Sequence, residues 1–293
     1  MTTVSIVIPA YNAQKYIRES VESALAQTHE AFEVVVVDDG SKDDTCDILK
    51  EYGESIRVIR QDNSGTAAAC NAGVSEAKGE WVAFLDADDQ WFPKKLELQL
   101  NACSKFAISH SDSFCFGQEL KQEIRRSALQ EMYSGRVLEK ILVANFITKS
   151  TVIVSKEVYK AAGGFSRKYD AVEDWPLWIS ICAKHELGYV ADPLVRYRVH
   201  ADSKSMKARA TDDAHMRIIE DAFSVGGAGC DYSFLKSRAV AESSAINAHY
   251  AATSGDWIWG VRCASRAIVN GRFTASIWKV LAKSLMIPFG YKY

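Results

Sequence analysis

The sequence predicts an α/β fold, a mostly parallel sheet flanked by helices, with a helical C-terminal extension. Through the first hundred residues, short apolar runs rich in β-branched residues alternate with segments of helical pattern, and the links between them are short. This alternation is typical of parallel strands with helices on both faces of the sheet. From about residue 205 onward the pattern is nearly all helical. We therefore predict an α/β domain over residues 1–204, with halves at 1–100 and 101–204, and a helical region over 205–293.

Four strands and three helices are predicted in the first half. Each strand is an apolar run that stops at proline or a polar turn, and each helix follows a turn or a capping signal. The strands are placed at 4–8, 32–37, 56–60 and 81–85, and the helices at 12–27, 41–52 and 66–77. Asn12 and Ser41 are the expected caps of the first two helices, with Asp44 completing a capping box. Gly79 is the expected left-handed stop after the third helix.

The alternation is looser in the second half. Strands are predicted at 107–110, 151–154 and 194–199, and a glycine turn at 163–165. A helix is predicted from Trp175 to His185, because Pro176 suits the first turn of a helix.

The composition excludes several classes of protein. The 293 residues are 48% hydrophobic and 25% charged, which is enough for a sizeable core. The net charge of -2 lacks the basic field of a nucleic-acid-binding protein, so no nucleic-acid partner is expected. The N-terminus does not resemble a signal peptide, and no apolar run reaches the roughly 18 residues of a spanning helix. The seven cysteines are scattered without a C-x-x-C pair, so we expect a cytoplasmic protein.

Aspartates follow two of the predicted strands. Ligands of parallel sheets bind outside the carboxyl ends of the strands. Asp86 and Asp88 follow the fourth strand and are two residues apart, so on an extended chain their side chains approach one site. Two carboxylates with ligand phosphates suit Mn²⁺ or Mg²⁺, whereas the alternative is a polar turn after a buried strand.

The other acidic strand end is Asp38-Asp39, before Gly40 and Ser41. A carboxylate there could bind a nucleotide base or ribose through charge-assisted hydrogen bonds. The alternative is a tight turn with helix capping. We assign Asp38 and Ser41 to the turn and Asp39 to ligand binding, because a second acidic strand end exists.

Three further positions each allow two interpretations. A carboxylate of Glu173-Asp174 could accept a proton from a hydroxyl, or cap the following helix. Trp175 and Trp178 could stack on a sugar, although such aromatic residues more often lie in the core. His200 follows an Arg/Tyr-rich strand and could ligate a metal, or be an ordinary surface or core histidine.

Seven motifs follow one another along the chain: VSIVIPAYN, VVVVDDGSKDDT, QDNSG with NAG, WVAFLDADDQW, GGF, VEDWPLW and YRVH. Their order resembles that of the family-2 glycosyltransferases of the GT-A fold, which is Rossmann-like. Together they are far more specific than any one of them, and the resemblance covers roughly residues 2–203. It implies an inverting enzyme that moves a sugar from a nucleotide-diphosphate sugar to a hydroxyl, with Mn²⁺ or Mg²⁺, in cell-envelope or extracellular polysaccharide synthesis. It assigns residues 1–100 to the nucleotide-sugar and 101–204 to the acceptor.

The resemblance also implies roles for individual residues. The donor-binding residues that it implies are Pro9, Ala10, Tyr11, Asn12, Asp39, Asn63 and Asp86. Asp88 matches the direct metal ligand, and His200 matches the histidine that completes metal or diphosphate binding. Asp174, beside Glu173, matches the catalytic base, and Gly164 lies in the glycine loop near the acceptor.

One position departs from the family pattern. The family often has an arginine that helps to hold the nucleotide where this chain has Cys70. That donor contact is therefore in doubt, and Lys78 or Arg60 are the candidates to replace it.

The C-terminal tail carries an apolar helical face, formed by Phe273, Ile277, Leu281 and Leu285 with Trp278 beside them. This face either packs on the catalytic domain or lies in the membrane interface, and the sequence favours neither. Membrane contact would place the protein on the cytoplasmic face of the membrane. It would also suit a lipid-linked saccharide as the acceptor, in place of another carbohydrate.

Other functions fit the sequence less well. A nucleotidyltransferase that makes nucleotide-sugars shares a related fold, but it usually has a glycine-rich basic loop where this chain has PAYNAQKY. A receiver-type phosphoacceptor module has roughly half this length. A non-catalytic relative that only binds nucleotide-sugar would not need Asp88 and Asp174, and both are present.

Overall fold

The computed structural model describes residues 2–29, 31–117, 120–169, 172–200 and 207–286, with side chains up to residue 282. The chain divides into two compact units. The first, here called the α/β unit, comprises Met1–Val137, Phe146–Arg167 and Ser180–His200. The second, here called the helical unit, comprises Leu138–Asn145, Lys168–Ile179 and Ala201–Tyr293.

One sheet forms the centre of the α/β unit. Over the described residues its strands are β1 (Val4–Ala10), β2 (Glu33–Asp38), β3 (Arg57–Arg60), β4 (Trp81–Phe84), β5 (Gln90–Trp91), β6 (Ile108–Phe116), β7 (Ile124–Arg125), β8 (Ile153–Ser155) and β9 (Leu187–Arg198). The spatial order is β3-β2-β1-β4-β8-β6-β9-β5, with β7 paired to β6. The first four strands pair in parallel, and β9 is parallel to β6. The remaining pairings are antiparallel.

Eleven α-helices lie within the described residues. They are α1 (Ile17–Leu25), α2 (Thr45–Lys50), α3 (Thr66–Glu76), α4 (Lys95–Cys103), α5 (Leu138–Val143), α6 (Lys156–Ala161), α7 (Asp174–Cys182), α8 (Ala208–Ala222), α9 (Lys236–Thr253), α10 (Trp257–Val269) and α11 (Ala275–Met286). The predicted α/β class with a helical C-terminal region is confirmed. None of the helices in the described residues is long and apolar enough to cross a membrane.

The predicted caps at Asn12 and Ser41 are wrong. Helix α1 begins only at Ile17 and α2 at Thr45, and neither has a side-chain cap. Asn12 adopts a left-handed φ of 48°. Its N–H donates to Ser41 Oγ (2.9 Å), and its Oδ1 accepts from the N–H of Lys42 (2.9 Å). The two side chains therefore join the turns after β1 and β2 to each other, which leaves neither free to cap a helix.

Gly79 has a different role from the predicted helix stop. Its φ is not left-handed, and α3 ends without it. A Cβ at this position would lie 2.7 Å from the backbone nitrogen of Ser5. The Gly79 N–H also donates to Ser5 Oγ (2.8 Å). Glycine is therefore required because the chain passes close to the backbone of β1.

The apolar face predicted in the C-terminal tail is partly buried within the helical unit. Ile277 and Val280 of α11 pack in a core cluster with Ala248 of α9 and Cys263 of α10. The buried part of this face thus packs against the neighbouring helices α9 and α10. Phe273 and Trp278 are exposed. The side chain of Leu285 and residues 287–293 lie outside the described part, so membrane contact stays a prediction.

Candidate active site

The turn after β4, here called the aspartate turn, consists of Asp86, Ala87, Asp88 and Asp89. The Asp89 N–H closes it by donating to Asp86 O (3.1 Å). The side chains of Asp86 and Asp88 are 26% and 33% exposed, whereas Asp89 is completely buried. The turn therefore leaves two carboxylates partly accessible to solvent and buries the third.

Asp89 holds the aspartate turn in place. Its carboxyl accepts hydrogen bonds from Ser150 Oγ (2.6 Å) and from the N–H of Arg198 (2.8 Å). Ser150 Oγ also accepts from the N–H of Asp86 (3.0 Å). Burial, together with the negative charges of Asp88 and Asp86, raises the pKa of Asp89 well above its ordinary value. Asp89 thus connects the turn to β9 and to the 3-10 turn Lys149–Thr151.

Asp88 and His200 meet although they are far apart in the sequence. His200 Nε2 lies 2.9 Å from Asp88 Oδ2. The imidazole ring also packs against Tyr16, with ring centroids 5.2 Å apart. The structure therefore brings together the two residues predicted to hold a metal, at the carboxyl edge of the parallel strands.

Arg198 supports this arrangement and was not predicted from the sequence. Its Nε donates to Asp88 O (2.7 Å) and its Nη2 to Glu19 Oε2 (2.6 Å). The guanidinium lies 4.3 Å from the ring centroid of Tyr16 and 4.4 Å from that of Phe116. Arg198 thus fixes the backbone of Asp88. The sequence feature that could have indicated Arg198 is its place in the Arg-Tyr-Arg-x-His segment.

Lys149, which was not predicted from the sequence, forms an ion pair with Asp86. Its Nζ lies 2.9 Å from Asp86 Oδ1, and its side chain is only 9% exposed. Two residues that follow the aspartate turn in the sequence donate hydrogen bonds to the 3-10 turn that carries Lys149. Trp91 Nε1 donates to Ser150 O (2.9 Å), and Gln99 Nε2 donates to Thr151 O (2.7 Å).

Asp39 holds the loop that precedes α3. Its carboxylate is buried and accepts hydrogen bonds from Gln61 Nε2 (2.7 Å), Ser64 N (2.9 Å) and Gly65 N (2.8 Å). This loop carries the exposed Asn63. The contact of Asp39 with a nucleotide stays a prediction, and the carboxylate holds the loop that carries Asn63.

Strand β1 does not stop at the proline as predicted, because Pro9 and Ala10 still pair with β2, and the turn begins only at Tyr11. Pro9 and Ala10 are buried within the strand, whereas Tyr11 and Asn12 are exposed. Their donor-binding roles stay predictions. Cys70, at the position where the family often has an arginine, is buried in α3. Arg60, one of the two candidates to replace that arginine, forms an ion pair with Asp38, and its Nε lies 3.3 Å from Asp38 Oδ2.

The glycine loop is tied to α3. Gly164 has a left-handed φ of 69°, and a Cβ there would lie 2.7 Å from Asn71 Oδ1. That oxygen accepts from the N–H of Phe165 (3.0 Å) and from the Tyr159 hydroxyl (2.6 Å). The loop conformation therefore requires glycine, and the acceptor contact of Gly164 stays a prediction.

The Glu173-Asp174 pair belongs to the helical unit. Glu173 is buried and Asp174 is partly exposed at the first residue of α7. Trp178 Nε1 donates to Asp174 Oδ2 (3.1 Å), and Asn145 Nδ2 lies 3.3 Å from both carboxylate oxygens. Asp174 is therefore the more accessible of the two carboxylates, and Trp178 and Asn145 hold it in place.

Sugar stacking by Trp175 and Trp178 is wrong. Their relative exposures are 1% and 0%, so neither ring offers a free face. Trp175 Nε1 donates to Ile141 O (2.7 Å), and its ring packs edge-on against His215. Both tryptophans are core residues, because α7 is apolar on most of its surface.

Comparison with known proteins decides the family. The model described as Glycosyl transferase family 2 matches residues 5–160, more than half of the chain. This chain belongs to glycosyl transferase family 2. An uncharacterized glycosyltransferase from Rickettsia felis is 32% identical over 214 residues, which cover 70% of this chain and 35% of the relative. The chain therefore spans about a third of the length of that relative.

Two other similarities are informative. The Escherichia coli protein named UDP-Glc:alpha-D-GlcNAc-diphosphoundecaprenol beta-1,3-glucosyltransferase WfaP is 34% identical over 210 residues, covering 70% of this chain and 80% of WfaP. The crystal structure of S. aureus TarS 1-349 in complex with UDP-GlcNAc aligns with a TM-score of 0.59 at 16% identity, over 100% of this chain and 93% of that chain. The TarS similarity concerns the fold and supports the predicted GT-A class. Family membership disfavours the nucleotidyltransferase and receiver-module alternatives.

Proposed function

We propose that this glycosyltransferase moves a sugar, with inversion, from a nucleotide-diphosphate sugar to a hydroxyl of a lipid-linked saccharide in cell-envelope polysaccharide synthesis. The observation that carries the proposal is the contact between Asp88 and His200 beside Asp86, at the carboxyl edge of the parallel strands, where ligands of such sheets bind. WfaP, as its name states, uses UDP-Glc and a diphosphoundecaprenol-linked acceptor, which supports the substrate classes. Such an acceptor suits an enzyme at the cytoplasmic face of a membrane.

The residues present fit the Mn²⁺ or Mg²⁺ that the family implies. No group of three or more Asp, Glu, His or Cys suited to a metal occurs in the described part of the chain. Magnesium in nucleotide-dependent enzymes is usually bound by one or two carboxylates together with substrate phosphates, so a full protein cage is not required. Asp88 and His200 would hold the ion, and Asp86 offers a further carboxylate. When bound, the ion would stabilise the negative charge that develops on the leaving diphosphate.

The chain's own residues perform the remaining steps in this proposal. Arg198 fixes the backbone of Asp88, and Asp39 orders the loop of Asn63 next to the nucleotide. Asp174 takes the proton from the acceptor hydroxyl, while Trp178 and Asn145 hold its carboxylate. The deprotonated oxygen then attacks the anomeric carbon on the side opposite the diphosphate. The bond from that carbon to the diphosphate oxygen breaks, the nucleoside diphosphate leaves with the bonding electrons, and the configuration inverts.

A panel of nucleotide-sugars tests the proposed donor class. UDP-, dTDP- and GDP-sugars are each added to the full chain with Mn²⁺ or Mg²⁺, and thermal unfolding is followed. We expect one class to raise the melting temperature, because a ligand at a hundred times its Kd stabilises the folded state by about 2.7 kcal/mol. If no donor shifts the transition and none is hydrolysed or transferred, the proposed function is rejected.

Asp88→Ala tests the metal site. In the wild type, we expect Mn²⁺ to strengthen donor binding measured by calorimetry, and we expect the variant to lose this gain, because Asp88 is the central carboxylate of the site. Asp47→Ala is the matched control, since it removes an exposed carboxylate from α2. An equal effect of Mn²⁺ on donor affinity in Asp88→Ala and wild type would contradict the assignment.

A further inference from the structure

Helices α10 and α11 form a hairpin that packs on α9. On their inner sides, Cys263 of α10 and Ile277 of α11 lie in one core cluster with Ala248 of α9. The opposite sides of both helices therefore face away from α9. This outer surface, here called the hairpin face, consists of Ile258, Val261, Arg262, Val269, Trp278, Lys279, Leu281 and Ala282.

Large apolar side chains of the hairpin face are exposed. Ile258 and Val269 are each 84% exposed, and Trp278 is 54% exposed. An apolar groove of about 300 Å³ lies between the two helices and is lined by Val261, Trp278, Leu281 and Ala282. Single exposed apolar residues are normal on a protein surface, whereas a contiguous apolar patch marks a surface that binds a partner or a membrane.

The same part of the chain is positively charged. From Trp257 onward the sequence has six Lys or Arg and no Asp or Glu, although the whole chain has a net charge of -2. Two of the six form ion pairs with acidic residues of α8 and α9, namely Arg266 with Asp212 and Arg272 with Glu242. Arg262 and Lys279 are exposed on the hairpin face, and within the described residues neither of them forms an ion pair. The face thus combines apolar surface with uncompensated positive charge.

This combination indicates the kind of partner. An apolar groove alone would also suit a second copy of this chain, but two hairpin faces would bring their positive charges together. Nucleic acid would match the charge but not the exposed aliphatic side chains. A bilayer with anionic lipids offers a negative surface over an apolar interior, and each Lys or Arg near it strengthens binding roughly fivefold. Tryptophan is enriched at the boundary between lipid headgroups and acyl chains.

We propose that the hairpin face binds the surface of a membrane that contains anionic lipids. Ile258 and Trp278 enter the headgroup region, and Arg262 and Lys279 contact lipid phosphates. This surface differs from the face predicted from the sequence, because Ile277 is buried and α10 contributes residues. The inference goes beyond the proposed function, since it uses no residue of the donor site.

Flotation of the full chain with vesicles tests the proposal. The vesicles consist of phosphatidylcholine alone or of phosphatidylcholine with phosphatidylglycerol. We expect the wild type to bind more tightly when phosphatidylglycerol is present, and less tightly as the salt concentration is raised. Arg262→Gln with Lys279→Gln should weaken this binding about 25-fold, and Ile258→Ser with Trp278→Ser about tenfold. All four side chains are exposed, so both pairs of substitutions should leave the fold intact.

Each pair has a matched control in the helical unit. Arg217→Gln with Arg238→Gln removes two exposed charges from α8 and α9, and Val225→Ser with Phe234→Ser removes two exposed apolar side chains. Vesicle binding by both controls should stay within about twofold of wild type, because these residues lie outside the hairpin face. Controls that lose as much binding as the hairpin pairs would overturn the proposal.

Two further results would also overturn it. One is a wild type that does not bind vesicles with phosphatidylglycerol. The other is unchanged vesicle binding in either hairpin pair, and if gel filtration then shows a dimer that these substitutions dissociate, the face joins two copies of this chain instead.

The rise in melting temperature caused by the donor is measured on the same variants. Hairpin pairs that keep this rise and lose vesicle binding support the proposal and leave the proposed function standing. A wild type that binds vesicles through the hairpin face but responds to no nucleotide-sugar would reject the proposed function and leave the membrane-binding surface standing.

Discussion

Asp174→Asn is expected to lower kcat by about 10²- to 10⁴-fold, the usual contribution of a general base, while donor affinity is unchanged. Asparagine has nearly the same shape and keeps one oxygen that can accept from Trp178 Nε1, so the start of α7 should remain in place. What it lacks is the ability to take a proton from the acceptor hydroxyl. The effect should therefore appear in turnover and not in donor binding.

The measurement combines initial rates of sugar transfer with calorimetric binding of the donor. Trp178→Phe is the matched variant, since it keeps a buried ring and removes only the N–H that orients Asp174. We expect it to lose much less kcat than Asp174→Asn. Glu173→Gln distinguishes the two adjacent carboxylates, and because Glu173 is buried we expect it to retain turnover. Full activity of Asp174→Asn would remove Asp174 from the role of base.

Asp212→Ala is expected to destabilise the protein by about 3 kcal/mol, within the range found when one partner of a buried ion pair is removed. Asp212 is buried in the helical unit, where Oδ1 accepts hydrogen bonds from Arg266 and from Asn247 Nδ2 (3.0 Å). Asn247 Nδ2 also lies 3.2 Å from His215 Nδ1. Burial and the charge of Arg266 lower the pKa of His215 to about 4, so its imidazole is neutral at pH 7. Asp212 is thus the anion that compensates Arg266.

Urea denaturation of the full chain measures this loss. Asp213→Ala is the matched control, because its side chain is exposed one residue further along α8, and it should change the stability by less than about 0.5 kcal/mol. Adding Arg266→Met to Asp212→Ala should recover part of the stability, since no uncompensated charge then remains. Equal denaturation midpoints for Asp212→Ala and Asp213→Ala would show that the network contributes nothing.

The parallel strands were predictable because burial on both faces leaves an uninterrupted apolar run. The longer strands β6 and β9 were predicted only in part. Strand β6 contains buried polar residues, among them Ser109, Ser111, Asp112 and Ser113. Asp112 accepts hydrogen bonds from Arg125 Nε (2.5 Å) and from the N–H of Ser127 (3.1 Å). These distant partners make burial of the carboxylate possible, and no local pattern reveals them.

The candidate site, like the strands, was predictable only in part. Asp86, Asp88 and His200 were found because their spacing and motif order are readable from the chain. Lys149 and Arg198 were missed because their positions depend on how the Lys149–Thr151 turn and β9 pack against the aspartate turn. The caps at Asn12 and Ser41 failed because these side chains bind each other's turns, a contact between segments about 29 residues apart.

The hydrogen bond from Arg198 N to Asp89 affects how the aspartate turn forms while this chain is being synthesised on the ribosome. The donor residue follows the acceptor by 109 positions. At translation rates of about 5–20 residues per second, a nascent chain carries the finished aspartate turn for about 5–20 seconds before β9 is made. During that interval Asp89 lacks its hydrogen bond from Arg198, and over the first 61 of those positions it also lacks the one from Ser150. Polypeptides released between residues 90 and 186 would therefore have β1 to β4 and still lack the hydrogen bond from β9 that holds the aspartate turn.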